Sequence, residues 1–152
     1  MSRITARAAA MQLIYERLSG GQGGEETLRM VYDELRQDGV PGVDRVGANE
    51  PNAADREYIT RVLEGVLREM EDIDARIAAA AKGWAIDRMA MVDLTILRLA
   101  TWEILHEKEV PGSVAIAEAL SLTERYSDPE DKPFVNGILG TILRQAQGEA
   151  EA

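Results

Sequence analysis

Residues 91–105, MVDLTILRLATWEIL, contain no glycine or proline and no polar side. Asp93, Thr95, Arg98, Thr101 and Glu103 are spread around the axis instead of gathering on one face. A helix that is apolar on most sides is usually central to a core, so this stretch is the expected middle of an all-α fold. Downstream, Pro111 and Ser113 open a helix through about Tyr126. Asp131 is placed to cap the last helix, where Phe134, Ile138, Ile142 and Val135, Leu139, Leu143 form two adjacent i, i+4 rows. Gly137 and Gly140 lie on that helix, where they would let another backbone approach closely.

Upstream, Asn52 is placed to cap a helix whose inner face carries Tyr58, Ile59, Val62, Leu63, Val66, Leu67 and Met70. The pattern continues through Ile73 and Ile77 to Trp84, with a bend near EDID at 71–74. Gly65 inside this helix costs about 1 kcal/mol relative to alanine, which points to a close helix approach. Residues 38–54, DGVPGVDRVGANEPNAA, are the longest non-periodic stretch and read as an exposed connection. Two earlier helices are expected at about 2–18 and 25–37, parted by the glycine-rich SGGQGGEET. Glu25 and Glu26 suit the second helix's start, where carboxylates complement the dipole. Strand alternation and internal repeats are absent, and about seven helices account for the chain.

The 152 residues suit one domain with a substantial core, or two small subdomains sharing one. At 45% apolar and 29% charged, the composition is that of an ordinary globular protein. No run approaches the roughly 18–20 apolar residues needed to cross a bilayer, so no membrane partner is expected. Arg3 and Arg7 interrupt any secretory core at the N-terminus. Zero cysteines exclude disulfides and thiolate metal sites and fit a reducing cytoplasm. A net charge of −10 argues against general duplex-DNA binding, where phosphate contacts dominate affinity. Yet residues 1–18 carry +2, leaving −12 for the remainder. On a helical wheel Arg3, Arg7 and Arg17 fall within roughly 80° of one another, beside an apolar stripe of Ile4, Ala8, Met11, Tyr15 and Leu18. Such a stripe is either a solvated edge or a local nucleic-acid contact.

The chemistry of an enzyme is missing. SGGQGGEET lacks the Gly-Lys-Ser/Thr ending of a phosphate loop, and Glu25 and Glu26 would repel a phosphate there. Glu103 and His106 have the Glu-x-x-His spacing of di-iron bundles, but His106 is the sole histidine and no second copy exists. No nucleophile–base pair or distinctive acid/base pair is recognisable. No metal, cofactor or catalytic residue is expected.

The whole pattern resembles the NusB family of bacterial transcription antitermination factors. The resemblance rests on TARAAAMQLIYE, YITRVLEGVL, IDARI and DLTILRLATWEIL, and most strongly on VPGSVAIAEALSLTERYSDPEDKPFVNGIL, where FVNG opens the final helix after a short acidic turn. It implies a single NusB-like domain over 1–152: two small helical bundles packed across each other, an N-terminal one over about 1–70 and a C-terminal one over about 71–147. It also implies binding of boxA, a short single-stranded RNA of ribosomal RNA leaders, together with the ribosomal protein NusE, within an RNA polymerase antitermination complex and without catalysis. The free chain is open to homodimerisation, since family members vary in oligomeric state.

On this resemblance Arg3 and Arg7 occupy the family's RNA-contacting helix start. Gln12 could bond a base edge, and Tyr15 could stack on a base, although its ring also suits the core. Glu130, Lys132 and Asn136 match the acidic turn and FVNG segment that lie near RNA; Asn136 is equally suited to satisfying backbone groups at the helix start. Asp93 matches an acidic position linked to NusE recognition, and a carboxylate on a mostly apolar helix needs such a reason. Three departures lower the expected RNA affinity. Ile4 and Thr5 thin the arginine cluster, Ala117 stands where the family has asparagine, and Pro133 replaces a common basic residue. Two other readings remain: a freestanding relative of the NusB-like domain of ribosomal-RNA cytosine methyltransferases, and an interaction protein that has kept the NusE surface but lost RNA.

Overall fold

The computed structural model describes residues 3–22, 24–37 and 52–151, and among these lie seven α-helices and no strand. They are α1 (Arg3–Leu18), α2 (Glu25–Gln37), α3 (Ala53–Arg68), α4 (Met70–Ala81), α5 (Met91–His106), α6 (Gly112–Tyr126) and α7 (Lys132–Glu151). Residues 38–51 of the expected connection lie outside the described residues. The chain divides into two compact units, Met1–Glu64 and Gly65–Ala152. No described helix is long and apolar enough to cross a membrane.

In the first unit α1 packs on α2. Four alanines of α1, Ala6, Ala8, Ala9 and Ala10, are buried with Met11, Leu13 and Ile14. Small side chains let neighbours close around this helix, so its buried arc is far wider than the expected stripe. Ile4 and Tyr15 of that stripe are in fact exposed. In α2, Leu28, Val31 and Tyr32 are buried at i, i+3, i+4 spacing. The start of α3 is a reciprocal capping box: Asn52 Oδ1 accepts from the Asp55 N–H and Asp55 Oδ2 accepts from the Asn52 N–H, each at 2.9 Å.

In the second unit α5 packs on α4, α6 and α7. Ten of its residues between Asp93 and Glu103 are buried, as its all-round apolar character predicts. Arg98 ties it to α4 through two parallel bonds to Asp74, each 2.8 Å. The long helix expected to end at Trp84 is two helices. It breaks at Glu69, one residue before Met70 begins α4, and α4 stops at Ala81. Lys82 (φ 39°) and Gly83 (φ 92°) take left-handed conformations there, and the glycine does so without steric cost. Trp84 is thereby turned off the helix and left 58% exposed.

The close approach expected at Gly65 is that of a side chain. A Cβ there would lie 2.2 Å from Trp102 Nε1, so the indole of α5 occupies the space. Gly137 has open space around its absent Cβ and Gly140 meets only Arg144, so neither admits another backbone. At the start of α6 a Gly112 Cβ would lie 2.3 Å from Leu143 Cδ1, a contact the sequence did not announce. Of the two rows on α7, Val135, Ile138, Leu139 and Ile142 are buried, whereas Phe134 and Leu143 are half-buried. The turn into α7 is a short 3₁₀ segment, Pro129–Asp131, in which Asp128 Oδ1 accepts from the Glu130 N–H at 2.9 Å.

Candidate nucleic-acid and partner interface

The residues singled out on α1 do not share one environment. Arg7 is only 3% exposed, with its guanidinium 6.0 Å from the centre of the Tyr58 ring on α3. Arg61 approaches the same ring at 5.8 Å. A cation held over an aromatic face in this way is a packing element of the first unit. Tyr15 is less enclosed than its place in the apolar stripe suggests, with 38% of the residue exposed. Gln12 is half-buried, Arg17 is exposed, and the Arg3 side chain lies outside the described residues. Of the candidate contact residues described on α1, Tyr15, Arg17 and part of Gln12 face solvent.

In the second unit, Glu130 and Asn136 are exposed on the turn and first turn of α7. Asn136 has no hydrogen-bond partner among the described residues, so its amide is not spent on the helix start. Lys132 is half-buried, and its Nζ donates to Glu124 Oε2 at 2.8 Å. That bond and the lysine's charge hold the Glu124 carboxyl below the usual carboxylate range.

Asp93 is not a surface carboxylate. It is 3% exposed, and its Oδ1 accepts from the Ser127 hydroxyl at 2.6 Å. Burial pushes its carboxyl up to about 6, and the hydrogen-bonded Asp131 carboxyl adds to the shift, with Asp128 contributing more weakly. Asp93 and Asp131 line a pocket of about 240 Å³ with Trp84, Arg88, Met89 and Phe134. Trp84 meets Phe134 edge-on, with ring centres 5.7 Å apart. Of these groups the sequence marked only Asp93 as a contact residue. Periodicity places Trp84 and Phe134 on helix faces and Asp131 at a cap, because the pocket joins two stretches distant in sequence, 84–93 and 131–134. The one available signal was a tryptophan directly after Lys82-Gly83, a helix stop.

Glu103 is buried, His106 is exposed beside the Trp102 ring at 5.7 Å, and among the described residues no three acidic, histidine or cysteine groups are placed to hold a metal ion.

The NusB family profile matches residues 4–144. The transcription antitermination protein NusB of Symbiobacterium thermophilum is 38% identical over 153 residues, covering 100% of this chain and 95% of that protein. Among solved structures, T. maritima NusB superposes with a TM-score of 0.74 at 26% identity, covering 100% of this chain and 99% of that one. The crystal structure of antitermination factors NusB and NusE in complex with dsRNA gives 0.71 at 27% identity, over 94% of this chain and 96% of that one. The capped, all-α chain with its buried central helix belongs to the NusB family.

Proposed function

We propose that the protein is a transcription antitermination factor that binds boxA-type single-stranded RNA of ribosomal RNA leaders together with NusE. In this role it supports processive transcription of ribosomal RNA operons as a cytoplasmic binding module without catalysis. The observation that carries the reading is the family match across 4–144, reinforced by a similar NusB captured with NusE and RNA. The RNA-facing groups are Arg3, Gln12 and Tyr15 on α1 and Glu130, Lys132 and Asn136 around the start of α7. Arg7 supports them from within as a packing group, and Asp93 serves NusE recognition.

A net charge of −10 opposes the approach of any polyanion, so a basic partner must share the RNA. Tyr15 supplies an exposed ring for stacking, which is sequence-tolerant, and Asn136 supplies a free amide for base edges. A second reading is favoured by the burial of Arg7 and the engagement of Lys132 with Glu124: an interaction protein that kept the NusE surface and lost RNA. Titrating boxA and scrambled RNA against the protein with NusE present separates the two. Selective binding of boxA supports the first; equal, weak binding of both RNAs beside intact NusE binding establishes the second.

A further inference from the structure

The pocket of the second unit combines features that a solvent-facing surface seldom keeps. Trp84 leaves 58% of its surface open, with Phe134 closing one side of it. Exposed tryptophans are enriched at the centres of binding surfaces, where they act as anchors. Beside the indole lie two carboxyl groups in mutual contact, Asp93 and Asp131, with Asp128 close enough to oppose a further negative charge. Neither has a counter-cation among the described residues: Lys132 is drawn to Glu124, and Arg88 at the pocket makes no ion pair.

The nature of the missing ligand follows from charge. A nucleobase could stack on Trp84, but its phosphates would then meet Asp93, Asp128, Glu130 and Asp131. An apolar side chain would cover the indole and bury the paired carboxyls more deeply, at added cost. A metal ion would need more converging ligands than the described residues provide. A planar cation satisfies both features, because a guanidinium stacks on an aromatic face and donates in-plane bonds to carboxylates.

We propose that this pocket seats one arginine side chain of a basic protein partner, its guanidinium against Trp84 and its N–H groups directed to Asp131 and Asp93. The inference rests on the proposed NusE partnership and specifies the chemistry of that contact. It gives buried Asp93 a role that its low exposure would otherwise deny it: it acts from the inner end of a pocket, behind Asp131, and not from the surface.

The test is calorimetric titration of NusE into wild type, Trp84→Ala, Trp84→Phe and Asp131→Asn, with thermal melts showing each variant folded. Asp131→Asn removes repulsion from Asp93, so it should not impair folding. The expected result is a tenfold or greater loss of NusE affinity for Trp84→Ala and for Asp131→Asn, with a smaller loss for Trp84→Phe, which keeps a ring. If wild type does not bind NusE, the partner reading fails and the inference with it. If wild type binds and both losses are absent, only the arginine seat is overturned. A loss for Trp84→Ala without one for Asp131→Asn makes the contact merely apolar and also overturns it. Weakened boxA binding measured without NusE, beside unchanged NusE affinity, assigns the pocket to RNA instead.

Discussion

Arg7 on α1 and Asp93 on α5 are each 3% exposed, and each sat on a helix that the sequence marked for contact. Their surroundings differ. The Arg7 guanidinium lies against the Tyr58 ring, a neighbour that suits a permanent cation. The Asp93 carboxyl has Ser127 on one oxygen and a second carboxyl, Asp131, beside it. One buried charge is settled by its own unit; the other is held in a place that disfavours its charged form. A charge of the first kind contributes to the fold, whereas one of the second kind is poised for a ligand that brings positive charge.

The largest expected effect falls on the settled charge. Arg7→Ala removes both the cation and the aliphatic stem packed in the first unit, and should cost on the order of 3 kcal/mol. Urea denaturation measures this, and a midpoint equal to wild type would place Arg7 at the surface after all.

The strained charge should behave in the opposite way. The Asp93 carboxyl titrates at about 6 in the folded protein against an ordinary 3.8. The groups facing it are Ser127, Asp128 and Asp131 from the turn before α7, with Arg88 lining the same pocket. The folded state therefore binds this proton more tightly than the unfolded chain. Its stabilising contribution is complete below pH 4, is lost as pH rises to about 6, and stays lost above. Asp93→Asn keeps the shape and removes the titration, so its stability relative to wild type should rise across that window, by on the order of 2 kcal/mol at pH 8. Thermal or urea melts of both proteins from pH 4 to pH 8 check it; a difference that does not vary with pH refutes the strain. Asp93→Lys is the poorer probe, since burying an ammonium would disturb folding and partner binding together.

Phe134 sharpens the contrast between pocket and core. Half-buried and edge-on to Trp84, it should cost about 1–2 kcal/mol on truncation to alanine, below the roughly 3–5 kcal/mol of a fully enclosed ring. A larger loss in a chemical melt would mean that the ring belongs to the core.

The helices themselves were legible in the residues. The all-round apolar run of α5 announced its burial, and Asn52 announced the cap of α3, because both signals are local. What was not legible depends on width and distance. Periodicity marks one face of α1, but its alanines let neighbours enclose most of it, so Arg7 went in and Tyr15 stayed out. The break at Glu69 and the stop at Lys82-Gly83 turned Trp84 away from the face it was assigned. Its pocket joins residues 84–93 with 131–134, a meeting that only the tertiary fold brings about.

The central claim is that an acidic chain of this family grips RNA only by sharing it with a basic partner. Fluorescence titration of boxA RNA at fixed salt, with the protein alone and then with saturating NusE, tests it most directly. The expected result is at least a tenfold gain in affinity when NusE is present, about 1.4 kcal/mol. Equal affinity for RNA with and without NusE would contradict it.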